Sequence, residues 1–234
     1  MLRIEHITKS YGKTIVLDDI SYMFEDSYVY GLVGRNGAGK TTFLNAISNF
    51  DRSYSGELYY GDRAMGNMEY LQMPVAYAMD SPSFFNELTV YENLLLIISG
   101  RNLKKEEAVR EIDKILDSLE IEKYRDYLPL ELSKGTLQRL NNACAMIQKK
   151  EITLFDEPFS GLDPVQIQLL EHTIKDFHNS GKGLIIISSH DIECLQNICD
   201  RCILLKNGTL IDIEMDLLSR EKIASMLSEE EEYV

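Results

Sequence analysis

The sequence predicts an α/β fold. A mostly parallel core sheet carries an antiparallel β sub-domain near the N-terminus and an inserted helical sub-domain. Three observations predict it. Residues 28–33 form a short apolar run, followed at once by Gly34-Arg35-Asn36-Gly37-Ala38-Gly39-Lys40-Thr41 and a helix-like stretch at residues 42–47. After residue 150, apolar runs at residues 152–155, Leu184–Ser188 and Arg201–Lys206 alternate with a helical stretch at residues 164–178. That alternation implies parallel strands joined by covering helices. Between these halves, Ala108, Val109, Ile112, Ile115, Leu116 and Leu119 recur at the 3.6 period within residues 104–121, as on an amphipathic helix packed on a core.

The remaining elements follow from local pattern. Residues 2–8 largely alternate apolar and polar side chains, as does Thr14–Phe24 in part, so both read as strands of a two-sided sheet. Ser55–Tyr60 reads as another strand, ended by the turn Gly61-Asp62. The expected division is one domain over residues 1–234. Residues 1–81 and 151–215 form the core with its β sub-domain, 82–150 the helical sub-domain, and 216–234 a C-terminal helix with an acidic tail.

Composition bounds the function. At 234 residues with 44% apolar side chains, the chain suits one large globular domain. Its apolar runs fall far short of the roughly 18 residues of a membrane span, so a membrane role is expected to need a separate subunit. Acidic residues outnumber basic ones 38 to 24, a formal charge of −14. A nucleic-acid binder needs clustered Lys and Arg to neutralise phosphates, so that class is disfavoured. Glu229 to Glu232 read as a solvated end. Four cysteines, Cys144, Cys194, Cys199 and Cys202, suggest no disulfide framework. His190 with the last three gives H-x₃-C-x₄-C-x₂-C, but a helix over residues 191–199 and a strand after it would point the thiols apart. They read as buried and reduced rather than as a metal site.

The glycine-rich loop fits G-x-x-x-x-G-K-[ST]. Gly34, Gly37 and Gly39 let backbone N–H groups turn toward phosphate oxygens, with Asn36, Ala38 and Thr42 completing the wall. Lys40 reaches the β/γ-phosphates and Thr41 offers a hydroxyl to Mg²⁺. A helix N-terminus directly behind the loop adds its positive end. The expected class is therefore a P-loop NTPase that binds a nucleoside triphosphate and Mg²⁺; the family resemblance given below makes the nucleotide ATP. Residues 152–157 supply its second half, a buried strand ending in Asp156 and Glu157, 116 residues after Lys40. Asp156 can hold the metal through water and Glu157 can polarise the attacking water.

With these motifs in order, the chain resembles the ATP-binding subunits of ABC transporters over nearly its whole length. Leu132-Ser133-Lys134-Gly135-Thr136 is similar to the family signature and lies at the usual spacing, with Ser133 23 residues before Asp156. Ser160-Gly161-Leu162-Asp163 resembles the D-loop, and His190, 33 residues after Glu157, resembles the switch histidine. Tyr11 sits where such proteins stack a ring on adenine. The resemblance implies two copies, or two paired cassettes, facing head to tail around two ATP molecules. Lys40, Thr41, Asp156, Glu157 and His190 would come from one copy, Ser133 and Gly135 from the other. The signature would open a helix over residues 136–148.

Two departures stand out. The family's loop glutamine, which contacts Mg²⁺, is replaced by Asp80 when the chain is aligned on residues 84–93; Gln72 lies eight residues too early. The signature carries Lys134 and Thr136, a Ser-Lys-Gly version similar to that of ABC-2 type exporters. The expectation is an ATPase subunit on the cytoplasmic face of the cell membrane, peripheral to it, driving export through a separate transmembrane permease that docks near residues 80–103. Ribosome-acting relatives generally carry two cassettes, and DNA-acting ones carry long coiled coils or zinc modules; neither is visible. A regulatory module with weakened hydrolysis is opposed by Glu157 and His190.

Overall fold

The computed structural model describes residues 1–69, 72–181 and 183–228. Its core is a six-stranded sheet built from β3 (Val29–Val33), β6 (Val75–Ala78), β7 (Ile152–Asp156), β8 (Leu184–Ser188), β9 (Arg201–Lys206) and β10 (Thr209–Ile213). The spatial order is β10-β9-β3-β8-β7-β6. Pairing is parallel throughout except for the β9–β10 hairpin. A second sheet, wholly antiparallel, has the order β2-β1-β4-β5, from β1 (Leu2–Tyr11), β2 (Thr14–Phe24), β4 (Ser55–Tyr60) and β5 (Arg63–Ala64).

Strand alternation sorts the apolar side chains into two cores. Tyr30 and Leu32 of β3, Leu154 of β7 and Ile186 of β8 face α1 (Lys40–Ile47) and the antiparallel sheet. Phe43, Leu44 and Ile47 of α1 are fully buried there, each worth about 1.5–3 kcal/mol in burial. Val29, Val33, Phe155, Ile185 and Ile187 face the opposite way. They meet α2 (Val90–Ile98), α3 (Lys105–Ser118), α4 (Lys134–Met146), α5 (Pro164–Gly181) and α6 (Ile192–Ile198). The helix carrying Lys40 is thus clamped between two sheets, which fixes the loop ahead of it.

Helix starts are defined by side chains. Thr89 and Glu92 form a capping box at α2, and the Asp163 carboxylate accepts from the N–H groups of Val165 and Gln166 at 3.0 and 2.9 Å to start α5. Such caps contribute about 1 kcal/mol each. α7 (Arg220–Ser228) closes the described chain; Glu229 to Glu232, read as a solvated tail, lie outside the described residues.

Several boundaries differ from the sequence expectation. α1 begins at Lys40 rather than Thr42, because Gly39 takes the left-handed conformation (φ 100°) and turns the chain directly into the helix. The signature helix begins at Lys134 rather than Thr136, since Ser133 is its N-cap and accepts from the Thr136 N–H. Cys199 and Cys202, expected to face apart, face the same place. A Cβ added at Gly31 would meet their Sγ atoms at 3.2 and 2.6 Å. The reason is that the helix stops at Ile198 and Cys199 is extended (φ −83°, ψ 144°), which turns its side chain back onto the sheet. All four cysteines are buried free thiols.

Candidate active site

The site forms at the carboxyl ends of β3, β7 and β8, where a parallel sheet presents its loops together. From β3 come the glycine-rich loop and α1. Its turn requires glycine at two positions, Gly37 (φ 81°) and Gly39 (φ 100°), and a Cβ at Gly39 would lie 2.7 Å from Val16 Cγ1. A cleft of about 360 Å³ opens beside this loop, lined by Tyr11, Asn36, Gly37, Gly39, Lys40, Thr41, Thr42, Asp80, Asp156 and Glu157. A wider cleft of about 830 Å³ adjoins it and holds Ala38, but it lacks both strand-end carboxylates. The chemistry therefore belongs to the smaller one.

Asp156, 1% exposed at the end of β7, is held from both sides. Its Oδ2 accepts from the Thr41 hydroxyl at 2.7 Å and from the Tyr77 hydroxyl at 3.4 Å. Its Oδ1 accepts from the Ser188 hydroxyl at the end of β8. Burial first, and the Asp156 carboxylate second, push the Tyr77 phenol well above its ordinary value, so Tyr77 stays a donor. Glu157 follows with a left-handed backbone (φ 49°), an uncommon conformation for a residue with a side chain. Its N–H donates to both Ser188 O and Ser188 Oγ, each at 3.1 Å.

The Glu157 carboxylate lies between two cationic or polar groups. One oxygen is 3.9 Å from Lys40 Nζ, and the other pairs with His190 Nδ1 at 2.8 Å. Lys40 is 8% exposed and donates to Gly34 O at 2.9 Å, which ties the first glycine of the loop to the cleft lysine. His190 is 71% exposed on its side chain, free at its outer edge to meet a ligand.

Asp80 lines the cleft. Gln72 precedes β6, at the end of the sheet opposite the Asp156 terminus of parallel β7. Ser133 and Gly135 do not line the cleft of their own chain. Ser133 is exposed, and Gly135 packs against the D-loop, where a Cβ would lie 2.9 Å from Gly161 O. Sequence reasoning missed Ser188 and Tyr77, and it missed the grip of α4. Gln138 donates to Glu157 O at 3.5 Å, Asn142 to Pro158 O at 3.3 Å, and Asn141 to Met79 O, beside Asp80, at 2.7 Å.

The arrangement offers oxygen donors for a hard cation. Thr41 Oγ1, Asp156 and Asp80 share the cleft, and Mg²⁺ takes oxygen ligands while keeping some of its waters. Among the described residues no group of three His, Cys, Asp or Glu side chains makes a metal cage unaided.

Comparison with known proteins agrees with this geometry. The profile of the family described as "ABC transporter" matches residues 17–160, more than half of the chain. An uncharacterised ABC transporter ATP-binding protein of Methanocaldococcus jannaschii is 32% identical over 90% of this chain and 76% of its own length. A Fe(3+) import ATP-binding protein of Fusobacterium nucleatum is 30% identical over 89% of this chain and 56% of its own. A lipopolysaccharide export ATP-binding protein of Haemophilus influenzae is 29% identical over 90% and 89%. Among solved structures, an ATP-binding subunit of an ABC transporter superposes with a TM-score of 0.83 at 25% identity, over 97% of this chain and 94% of its own. A dimeric cassette in a post-hydrolysis state with ADP and Pi gives 0.80 at 25% identity, over 92% and 99%. The chain belongs to the ABC transporter family, as one of its ATP-binding, ATP-hydrolysing cassettes.

Proposed function

We propose that this cassette works as a pair, two copies head to tail with ATP between them, and that its hydrolysis cycle drives a separate transmembrane subunit. One observation carries the reading. Lys40, Thr41, Asp156, Glu157 and His190 converge at one set of strand ends, whereas Ser133 and Gly135 lie outside that cleft. A site with its signature elsewhere is completed by another copy, and the dimeric cassette neighbour supplies a precedent.

In this reading the loop from Gly34 to Thr42, with Asn36, Ala38 and Lys40, receives the phosphates, and Tyr11 stacks on adenine. Thr41, Asp156 and Asp80 would hold Mg²⁺, which when bound neutralises charge on the β- and γ-phosphate oxygens. Glu157 accepts the proton of the attacking water. His190 orients that carboxylate through the 2.8 Å bond and presents its free edge to the γ-phosphate. Ser133 and Gly135 bring the start of α4, a helix N-terminus, to the partner's nucleotide.

Within the helical sub-domain of residues 82–150, the stretch near residues 80–103 receives the membrane subunit, supported by the exposed apolar side chains of Phe85, Leu95 and Leu96. No described helix is long and apolar enough to cross a membrane. Because its relatives are the ATP-binding proteins of transport systems, we place the cassette peripherally on the cytoplasmic face of the cell membrane. Export rests on the Ser-Lys-Gly signature, since the relatives above serve uptake and export alike. The net charge of −14 opposes a nucleic-acid partner.

The test is Glu157→Gln. Turnover should fall by about 10²–10⁴ with loss of the general base while ATP stays bound. Pulled from detergent-solubilised native membranes with ATP and Mg²⁺, the variant should bring a stoichiometric multi-span protein. Unchanged turnover would remove Glu157 from the chemistry. Recovery of ribosomal or DNA-bound partners would overturn the transport reading.

A further inference from the structure

Tyr11 closes β1 with 53% of its surface exposed. Two residues earlier, on the same side of the strand, Lys9 is only 3% exposed. An ammonium taken out of water needs an acceptor for each of its three N–H groups. Lys9 has three: Ser53 O at 2.8 Å, the Ser53 hydroxyl, and the Asp51 carboxylate at 2.7 Å. With every donor engaged, the charge is immobilised 4.9 Å from the centroid of the Tyr11 ring, inside the range of a cation–π contact.

The anchors of Lys9 belong to the segment that follows α1. Asp51 N–H donates to Asn45 O of that helix at 3.1 Å, and Ser53 N–H donates to Asp51 Oδ1 at 2.9 Å. α1 begins at Lys40. A continuous path thus runs from the phosphate loop through α1 to Asp51, then to Lys9 and the aromatic ring.

We propose that Lys9 is a positioning residue for the nucleotide base. It holds the Tyr11 ring from one face and sets its distance from the phosphate loop, so the cleft selects a ligand that carries both a planar base and a triphosphate. A fixed cation on one face also draws π density from the ring, which suits stacking of an electron-rich purine on the other. The inference rests on the reading of Tyr11 as the adenine platform given above.

The experiment compares two probes by calorimetry on the full chain with Mg²⁺: a non-hydrolysable ATP analogue, and inorganic tripolyphosphate, which has no base. Lys9→Met should weaken the analogue about three- to tenfold and leave tripolyphosphate unchanged, and Lys9→Arg should restore most of the loss. In a Tyr11→Ala background, Lys9→Met should add nothing further. Lys9→Met leaves the Asp51 charge unpaired, so Lys9→Met with Asp51→Asn is the companion variant if the single change unfolds the chain. Equal loss for both probes would make Lys9 merely structural and overturn the proposal. So would an unchanged analogue affinity in Lys9→Met when Tyr11→Ala weakens it. If Tyr11→Ala itself fails to separate the two probes, the platform reading is what falls.

Discussion

Replacing Ser188 by alanine removes a single oxygen from the centre of the site and leaves the packing of β8 in place. That oxygen, on a residue with 0% exposure, donates to Asp156 Oδ1 and accepts from Glu157 N–H. The two losses are unequal. The Glu157 N–H keeps Ser188 O at 3.1 Å, so its share is small. The bond to the buried carboxylate is charge-assisted, worth about 1.5–3 kcal/mol. Asp156 retains the Thr41 hydroxyl at 2.7 Å, which puts the expected cost at the low end, about 1.5 kcal/mol. For a chain of this size each kcal/mol moves Tm by about 2–4 °C, so Tm should fall by about 3–6 °C. Catalysis should suffer beyond stability, because Asp156 is then held only through Oδ2 and the Glu157 N–H loses one of its two acceptors. A drop in kcat of about tenfold corresponds to 1.4 kcal/mol of lost transition-state stabilisation. ATP affinity should hold, since Lys40 and the glycine loop are untouched. Thermal unfolding and steady-state ATPase assays, run side by side, decide the matter. A variant with wild-type Tm and kcat would refute the role assigned to this hydroxyl.

Two further outcomes follow from buried titratable groups. Burial pushes the Cys144 and Cys194 thiols up to about 12, leaving about one part in 10⁴ as thiolate at pH 8. Iodoacetamide should therefore label both at least about 100-fold slower in the native protein than in urea, and labelling of the native chain at the free-cysteine rate would contradict the packing of α4 and α6. The Lys9 ammonium, through its hydrogen bond, holds the Asp51 carboxyl below the usual carboxylate range. A depressed folded pKa gives stability that is complete above the unfolded value, about 3.9, and is lost as pH falls through the folded one. The wild-type advantage over Asp51→Asn in urea midpoint should be full above about pH 5 and shrink below about pH 4. A difference that does not vary with pH would count against the pair.

The sequence made legible what repeats a pattern. Continuous apolar runs mark β3, β7, β8 and β9 because both faces of each strand are covered, and the glycine loop and paired carboxylates are readable because their spacing is set by phosphate chemistry. β6 was missed because Val75-Ala76-Tyr77-Ala78 is short and small-sided; it is a strand only by pairing with β7. Lys9 lies one residue beyond the strand read over residues 2–8, and only the fold, which carries β1 on to Tyr11, brings its ammonium to Asp51 and Ser53. Gln138, Arg139, Asn141 and Asn142 look like the wet side of α4 but are buried, because loop carbonyls from distant segments take the place of water. Ser188 has no signal at all: a serine closing an apolar strand says nothing of the acid beside it until the strand order is known.

The grip of α4 has a consequence for how two sites keep time. Thirteen helical residues span about 20 Å. Within that length one end carries the signature, while the side chains behind it hold the carbonyls of Glu157, Pro158 and Met79. In the head-to-tail pair, each such helix would touch its neighbour's nucleotide with its tip and its own catalytic turn with its flank. Two of them would make a closed circuit, in which a γ-phosphate lost on one side would disturb the proposed proton acceptor on the other. Cooperativity between the two hydrolysis events would then be a property of rigid geometry in the proposed pair, and would not need a membrane subunit.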